Sequence, residues 1–138
     1  MLLEIATPAR LIVSTEVDEV VAPGTEGYFG VLPGHAAFLT TLGAGEVMYR
    51  KGTQEHRLVV MGGFAEVRDD RVIILAERAE LPEEIDIPRA ERARQRAEQR
   101  LAGRSPTGAQ EEIDYTRALA ALARANARLQ LRAQVLHS

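Results

Sequence analysis

The first 80 residues alternate apolar and polar positions with the period of two that is typical of β-strands. Lys51-Gly52-Thr53-Gln54 and Asp69-Asp70 each join two apolar segments over a length that suits a β-hairpin. Many short strands with no helical period between them predict an antiparallel β-sandwich or flattened barrel. The predicted strands are LLEIAT, RLIVS, VDEVVA, YFGVL, EVMYRK, HRLVVM, FAEVR and RVIILAE.

A double glycine, Gly62-Gly63, lies between the HRLVVM and FAEVR segments and admits two interpretations. It is either a phosphate-binding loop or a corner at which two backbone segments approach closely. A phosphate-binding loop needs a helix N-terminus directly behind it, and the following Phe64-Ala65-Glu66-Val67 has a strand pattern. We therefore predict a corner or bulge.

The hydrophobic period changes near residue 80, where Leu81-Pro82 ends the strand pattern. The segment after this proline has the spacing of helices rather than strands. We expect two parts, a β-sandwich domain at residues 1–82 and a two-helix antiparallel hairpin at residues 83–138. The predicted fold class is therefore α+β, with the sheet first and the helices second.

Start and stop signals locate the two predicted helices. The first helix is predicted to begin between Asp86 and Pro88, because proline is tolerated in a first turn, and to end near Leu101. Glycine and proline come after it. Thr107 and Gln110 have the spacing of a capping box and predict the start of the second helix.

Apolar residues in the second helix repeat at alternating intervals of four and three, as in a coiled-coil seam. The predicted packing face of the first helix is narrow and consists mostly of small residues. Such a face buries little area, and Asn126 within the seam costs further stability, so we expect a weakly stabilised hairpin that can act as a switch. The predicted seam is Tyr115, Leu119, Leu122, Asn126, Leu129, Ala133 and Leu136, opposite Ala90, Ala93, Ala97 and Leu101.

The segment from Glu26 to Gly43 follows no single strand or helix pattern. Large apolar residues crowd into it, while glycine and proline exclude a helix and supply tight turns. His35 directly follows Pro33-Gly34, at a turn that presents side chains outward. We predict a docking surface, against the alternative that these residues only close the core of their own domain. Its predicted members are Tyr28, Phe29, Val31, Leu32 and His35.

Composition narrows the class of protein. The chain has 138 residues, of which 46% are hydrophobic, as in an ordinary globular protein. Its longest apolar runs are of strand length, well below the roughly 18 residues of a membrane-spanning helix. Met1-Leu2-Leu3 is followed at once by Glu4, unlike a secretory signal, and cysteine is absent, so we expect a cytoplasmic location.

The charged residues and the candidate nucleophiles argue against several functions. Residues 83–138 carry ten arginines against eight acids, and this interleaving weakens attraction to nucleic acid. No nucleophile, histidine and acid are spaced as in a hydrolase, and no nucleotide-hydrolysing loop occurs. The three histidines, His35, His56 and His137, are too far apart to predict a metal site. We expect a protein that is not an enzyme, binds no metal and requires no cofactor.

Three separated motifs, GYFGVLPGHAAFLT, MGGFAEV and EEIDIPRA, resemble the epsilon subunit of the rotary F-type ATP synthase over nearly the whole chain. The resemblance implies a non-catalytic central-stalk subunit at the cytoplasmic face of the plasma membrane, peripheral to the membrane. It implies that the turn from Glu26 to His35 faces the gamma subunit and the ring of c subunits. It further implies that the helices move and inhibit ATP hydrolysis by the catalytic alpha and beta subunits.

Arginine spacing in the predicted helices indicates an anion-binding site. Two facing rows of guanidinium groups repel each other unless an anion lies between them, and a triphosphate suits their bidentate hydrogen bonding. The rows are Arg89, Arg92 and Arg96 on the first helix and Arg117, Arg124 and Arg128 on the second. The alternative is ordinary solvation of surface arginines.

The same segment resembles a nucleotide-binding motif of bacterial epsilon subunits, IDxxRA. The resemblance implies ATP as a regulatory ligand, with Asp86 either accepting from adenine or capping the helix. The residues it implies are Glu80, Ile85, Asp86, Arg89, Ala90, Arg96, Arg124 and Arg128. The alternative for the whole chain is a stand-alone β-sandwich binding module with an arginine-rich helical interaction tail.

Overall fold

A computed structural model describes residues 1–102 and 108–137, with side chains described as far as 133. The chain divides into two compact units, Met1–Leu81 and Pro82–Ser138. The first is a β-sheet unit and the second is helical, which confirms the predicted α+β class. The strands are β1 (Leu2–Ala6), β2 (Leu11–Glu16), β3 (Glu19–Gly24), β4 (Gly27–Val31), β5 (Phe38–Thr41), β6 (Ala44–Lys51), β7 (Gln54–Arg68) and β8 (Arg71–Glu80).

The strands form one continuous sheet in the order β2-β1-β8-β7-β6-β3-β4, and β5 adds to β7. All neighbouring pairs are antiparallel except β1 with β8, which is parallel. Both predicted hairpin turns are confirmed. Lys51 pairs with Gln54 around Gly52, which has φ +61°, and Arg68 pairs with Arg71 around Asp69-Asp70.

The corner predicted at Gly62-Gly63 is confirmed by the backbone. Both glycines have positive φ, +73° and +108°. A Cβ on Gly63 would lie 2.0 Å from the carbonyl oxygen of Leu75, so only glycine allows the two strands to approach this closely. The prediction of two separate strands on either side is wrong, because β7 runs through the corner as one bent strand of 15 residues.

The bend in β7 also explains a strand that the pattern did not predict. Before the corner β7 pairs with β6, and after it β7 pairs with β5, so a single strand serves two stretches of the sheet. β5 is only four residues long and exposed in three of them, so it lacks an alternating signal.

The core of the first unit comes from the inward positions of every strand except β5. Most of its members are β-branched or leucine, which suits densely packed strand faces. Leu3, Ile5, Leu58 and Ile74 are its largest fully buried side chains. A bulge between Ile5 and Ala6 shifts the register of β1 against β2, so Leu11 lies opposite Ala6 and not on the core side.

The second unit begins with a 3-10 turn, Pro82–Glu84, followed by α1 (Ile87–Leu101) and α2 (Ala109–His137). Asp86 is the N-cap of α1, and its Oδ1 accepts from the backbone N–H of Arg89 at 3.1 Å. The predicted start and end of α1 are therefore confirmed. Thr107 of the predicted capping box lies outside the described residues.

The seam predicted for α2 is wrong, because Ala118 and Ala125, each one residue before a predicted seam position, are buried in place of Leu119 and Asn126. Leu119 is 45% exposed, Asn126 and Ala133 are also exposed, and the side chain of Leu136 lies outside the described residues. Tyr115, Leu122 and Leu129 are half-buried. Among the described side chains, the buried residues of α2 are instead Ala118, Ala125, Ala127 and Leu131, and those of α1 are Ala90 and Ala97. Alanines allow two helices to approach more closely than leucines do, so the line of contact passes through the alanines. Asn126 then lies outside the contact, and the expected cost of burying it does not arise.

Candidate functional site: docking surfaces and an arginine flank

The predicted outward turn at Leu32–His35 is present. The His35 N–H donates to the Leu32 carbonyl at 3.1 Å, and Gly34 has φ +84°. Proline at the second position and a positive φ at the third define a type II turn. Leu32 is 54% exposed, and the rest of the turn is exposed as well. This geometry places one large apolar side chain and one imidazole on the surface.

Tyr28 lies on the outer side of β4 and combines an exposed ring with an anchored hydroxyl. Its side chain is 61% exposed, yet its hydroxyl accepts from the Glu46 N–H at 3.0 Å. A Cβ on Gly45 would lie 2.5 Å from that hydroxyl, so glycine is needed beneath the tyrosine. The exposed ring is therefore held in one position, which limits the entropy lost when a partner binds to it.

Two predicted surface residues point inward, because alternate side chains of a strand face opposite sides. Val31 is fully buried in the core, so its assignment to the docking surface is wrong. Phe29 is half-buried against the core and contacts Phe38, with ring centroids 5.2 Å apart. Phe38 also lies edge-on to His35 at 6.2 Å, and the sequence pattern does not predict this contact. We call the exposed residues Tyr28, Leu32, His35 and Phe38 the turn surface, and Phe29 supports Phe38 from the core side.

A second apolar surface crosses the outer face of the sheet, and sequence reasoning missed it. Leu75 of β8 pairs with Phe64 of β7 on one side and with Ala6 of β1 on the other. Ala6 in turn pairs with Leu11 of β2. Residues directly opposite each other share a face of the sheet, so these four side chains form one row across four strands. We call this row the outer-face row.

The outer-face row is exposed to an extent unusual for a β-sheet face. Leu11 is 59% exposed, Phe64 56% and Leu75 53%. Leu39 of β5 is 69% exposed and lies on the same face, two residues from Thr41, which pairs with Phe64. Contiguous apolar patches on a soluble protein mark interaction sites more often than scattered single residues do. The signal is absent from the sequence because the four residues become neighbours only through strand register.

In the helical unit, arginines line one edge of the helix contact. Each of four arginines directly precedes a buried alanine, and a residue one position before another lies about 100° from it around a helix. All four therefore lie on the same edge of the contact line of their own helix. These pairs are Arg89-Ala90, Arg96-Ala97, Arg117-Ala118 and Arg124-Ala125.

The short connection between α1 and α2 makes the two packed helices antiparallel, as predicted. In an antiparallel pair, equivalent edges of the two helices lie on the same side of the hairpin. Arg128, three residues after Ala125, shares this edge, whereas Arg92, two residues after Ala90, points to the far side. We call Arg89, Arg96, Arg117, Arg124 and Arg128 the arginine flank.

The remaining predicted nucleotide-site residues are distributed over both units. Asp86 and Arg89 are brought together by the helix-capping hydrogen bond, in which Asp86 acts through its side chain and Arg89 through its backbone. Ile85 and Ala90 are buried, with 8% and 2% of their surface exposed. Glu80 is the last residue of β8 in the first unit. Arg124 and Arg128 are half-buried, whereas Arg89 and Arg96 are exposed.

The described residues contain no group of three or more His, Cys, Asp or Glu side chains able to hold a metal ion. None of the described helices has both the length and the apolar character needed to span a membrane. Burial raises the pKa of Tyr49, whose ring stacks on His56 with centroids 5.0 Å apart. That pair lies beside the β6–β7 hairpin and not in either apolar surface.

Comparison with known proteins identifies the family. Residues 1–82 match the model of the ATP synthase delta/epsilon chain β-sandwich domain, and residues 83–131 match that of the ATP synthase delta/epsilon chain long α-helix domain. The chain belongs to the ATP synthase delta/epsilon chain family. The resemblance carried by the three sequence motifs is thereby confirmed.

Relatives of this family agree over nearly their full length. An ATP synthase epsilon chain of Nitratidesulfovibrio vulgaris is 52% identical over 130 residues, which cover 94% of this chain and 93% of that one. That of Syntrophobacter fumaroxidans is 51% identical, covering 94% and 92%. Each relative is named as a chain of a larger enzyme, in agreement with the prediction of a subunit that is not itself an enzyme.

Chains in two solved ATP synthase structures share the fold. A chain in the Euglena gracilis mitochondrial ATP synthase, from an assembly described as OSCP/F1/c-ring, matches with a TM-score of 0.77 at 26% identity, covering 94% of this chain and 78% of that one. A chain from the central stalk and c-ring of the Tetrahymena thermophila enzyme matches with a TM-score of 0.62 at 14% identity, covering 95% of each. The second likeness concerns the fold alone.

Proposed function

We propose that this chain is a non-catalytic rotor subunit of the central stalk of a proton-translocating F-type ATP synthase. Its β unit docks on the gamma subunit and the c-ring, at the cytoplasmic face of the plasma membrane and peripheral to it. The observation that carries this proposal is the presence of two exposed apolar surfaces, the turn surface and the outer-face row, on one β unit. A subunit that couples two partners needs two such surfaces.

The turn surface suits a contact against the ring and the stalk. It presents an anchored tyrosine ring, a leucine and an imidazole on a turn of fixed geometry. Rigid aromatic anchors dominate the affinity of many interfaces. The outer-face row supplies the second contact, to the gamma subunit, through apolar side chains that cross four strands.

Reconstitution tests whether the turn surface and the outer-face row each contribute to docking. The full chain is added to an F-type ATP synthase stripped of its own epsilon chain, and binding is measured for the parent, Leu32→Asp and Phe64→Asp. A charge in a desolvated apolar contact is costly, so we expect each variant to bind at least about 10-fold more weakly. Thr53→Asp, in the exposed β6–β7 turn, adds the same charge outside both surfaces. Equal binding by all four proteins would contradict the proposal.

The helical unit is proposed to regulate ATP hydrolysis through the catalytic alpha and beta subunits. The composition of the packing supports this, because among the described residues of α1 and α2 the buried ones are all alanines except Leu131, and each buried methyl group contributes only about 0.8 kcal/mol. A hairpin with so small a stabilisation can open and extend toward other subunits. Removal of residues 83–138 should then raise ATP hydrolysis by the reconstituted synthase.

The arginine flank is proposed to bind the phosphates of ATP as a regulatory ligand. Guanidinium groups from both helices on one side of the hairpin can hold a triphosphate by bidentate hydrogen bonds. A ligand that bridges both helices stabilises the closed hairpin by mass action, so low ATP favours extension and inhibition. The resemblance adds Ile85, Asp86 and Ala90 to this proposed site.

Titration calorimetry of the full chain with ATP, in the presence and absence of Mg²⁺, tests the nucleotide site. Arg89→Ala and Arg124→Ala remove one member of the flank from each helix, and each should weaken binding several-fold. Arg92→Ala is the matched control, because Arg92 lies on the far side of α1. Absence of binding at millimolar ATP, or equal affinity of all variants, would contradict the nucleotide site and leave the docking proposal intact.

A further inference from the structure

One side-chain hydrogen bond joins the turn that carries His35 to a segment that is distant in sequence. Within the turn, the His35 N–H donates to the Leu32 carbonyl and the His35 Nδ1 lies 2.6 Å from the Ala36 carbonyl. Both contacts are local. Among the described residues, the hydrogen bond that joins residues 32–37 to a distant segment is the one from the Gly34 N–H to Asp70 Oδ1, at 3.2 Å.

The geometry of the type II turn explains why this bond matters. The N–H of the third turn residue points away from the turn and finds no partner within it. In this chain that group belongs to Gly34, so a partner has to come from outside the turn. Asp70, which is 36 positions away in sequence, provides a carboxylate oxygen. The bond therefore depends on an acceptor oxygen in the side chain at position 70.

Asp70 is also an unusual residue for its own position. Asp69 and Asp70 have φ of +52° and +59°, which defines a type I′ hairpin turn between β7 and β8. Glycine is favoured at the second position of such a turn, and a residue with a Cβ costs roughly 1 kcal/mol or more in this region. A side chain at position 70 is therefore disfavoured by the turn that contains it. Its carboxylate accepts from the Gly34 N–H and lies 3.7 Å from the Met1 amino group, two contacts that glycine could not make.

We propose that Asp70 is a positioning residue that fixes the His35 turn in the orientation used for docking. The inference rests on the proposed docking role of the turn surface and adds the residue that holds that surface in place. Asp70 does not itself contact the partner. Its loss leaves Leu32 and His35 present and exposed but free to move, so that a partner must order them on binding.

Three variants of the full chain separate this role from the stability of the hairpin. Asp70→Gly removes the carboxylate and relieves the positive φ, so it should not destabilise the fold. Asp69→Gly relieves the same strain at the neighbouring residue and keeps Asp70, which makes it the matched control. Asp70→Asn keeps an oxygen acceptor for Gly34 and removes the charge, which lies 3.7 Å from the Met1 amino group.

Amide hydrogen exchange measured by NMR reports directly on the hydrogen bond from the Gly34 N–H to Asp70 Oδ1. We expect Asp70→Gly to accelerate exchange of the Gly34 amide about five- to ten-fold, as loss of one hydrogen bond of modest strength would. Asp69→Gly and Asp70→Asn should leave this rate within about two-fold of the parent. An Asp70→Gly variant whose Gly34 amide exchanges at the rate of the parent would overturn the proposal, because the turn would then not depend on the contact with Asp70.

Binding to the ATP synthase stripped of its epsilon chain completes the test. Asp70→Gly should bind about five-fold more weakly with an unchanged unfolding midpoint, and Asp69→Gly should bind like the parent. If Leu32→Asp weakens binding and Asp70→Gly does not, the positioning role of Asp70 is contradicted and the proposed docking surface is supported. If neither change weakens binding, both the docking surface and the positioning role of Asp70 are contradicted.

Discussion

Replacement of Tyr28 by phenylalanine separates the structural role of this residue from its proposed role in docking. The change removes the hydroxyl that accepts from the Glu46 N–H at 3.0 Å and leaves the exposed ring in place. The ladder between β3 and β6 ends at the Val21–Met48 pair, and Pro23 lies further along β3. The Tyr28 hydroxyl therefore accepts the hydrogen bond of the Glu46 N–H where β3 no longer pairs with β6.

The magnitude can be worked out from that single contact. A partly buried amide that loses its acceptor costs about 1 kcal/mol. For a domain of this size, such a loss lowers the unfolding midpoint by roughly 4 to 8 °C. Binding to the stripped synthase should change by less than about two-fold in Tyr28→Phe, because the apolar ring that meets the partner remains.

Thermal unfolding of the full chain by circular dichroism, paired with the binding assay, measures both effects. Tyr28→Ala is the companion variant and should lose stability and binding together, the latter by ~2 kcal/mol as is typical for an aromatic anchor. A Tyr28→Phe variant as stable as the parent would refute the structural role given to the hydroxyl. Normal binding by Tyr28→Ala would refute the docking role given to the ring.

Five further substitutions, one of them a matched control, test other parts of the structure. Gly63→Ala places a Cβ against the Leu75 carbonyl and should cost at least ~3 kcal/mol of stability, whereas Gly52→Ala, also at positive φ but with open space around it, should cost about 1 kcal/mol in denaturant unfolding. Asp86→Ala removes the cap of α1 and should lower the stability of the folded helical hairpin by about 1 kcal/mol, seen as reduced helicity. Leu75→Ser should change stability by less than about 0.5 kcal/mol because the side chain is exposed, yet weaken binding to the stripped synthase. Burial raises the pKa of Tyr49 above its ordinary value of about 10. The stability that the neutral tyrosine contributes is therefore fully present below that ordinary pKa and is lost as the pH rises through the pKa of the folded state. Tyr49→Phe should reduce this alkaline loss of stability in melting curves recorded at different pH values.

Local signals in the sequence are enough to predict most elements of the fold. Asp86 caps its helix as expected, and the turns at Gly52 and at Asp69-Asp70 close the predicted hairpins. Gly62-Gly63 forms the predicted corner. Each of these predictions depends on residues within one or two turns of each other, where backbone preferences decide the outcome.

The wrong predictions lie where distant segments decide the structure. β7 runs through its glycine corner because β5 and β6 pair with it on either side, which no local pattern reveals. Val31 belongs to a segment rich in outward turns, but the alternation of its own strand turns it into the core. The α2 contact line moves by one residue because Ala118 and Ala125 permit closer packing than the neighbouring Leu119.

The candidate sites show the same division. Most members of the turn surface and of the arginine flank are visible from residue type and spacing, but Phe38 is not, and the pattern assigns Val31 and Arg92 to these sites wrongly. The outer-face row is not visible in this way, because Leu11, Phe64 and Leu75 become neighbours only when four strands are paired in register. The contact between Asp70 and Gly34 likewise joins residues 36 positions apart and depends on the folded sheet.

Co-purification of the tagged full chain from its native membranes tests the central claim most directly. A rotor subunit held by two apolar surfaces should bring the gamma subunit, the c-ring and the catalytic alpha and beta subunits with it in near-stoichiometric amounts. A chain carrying both Leu32→Asp and Phe64→Asp, expressed at the same level, should recover far less of each. Isolation of the unmodified chain without any of these subunits would contradict the proposal that it works in the central stalk.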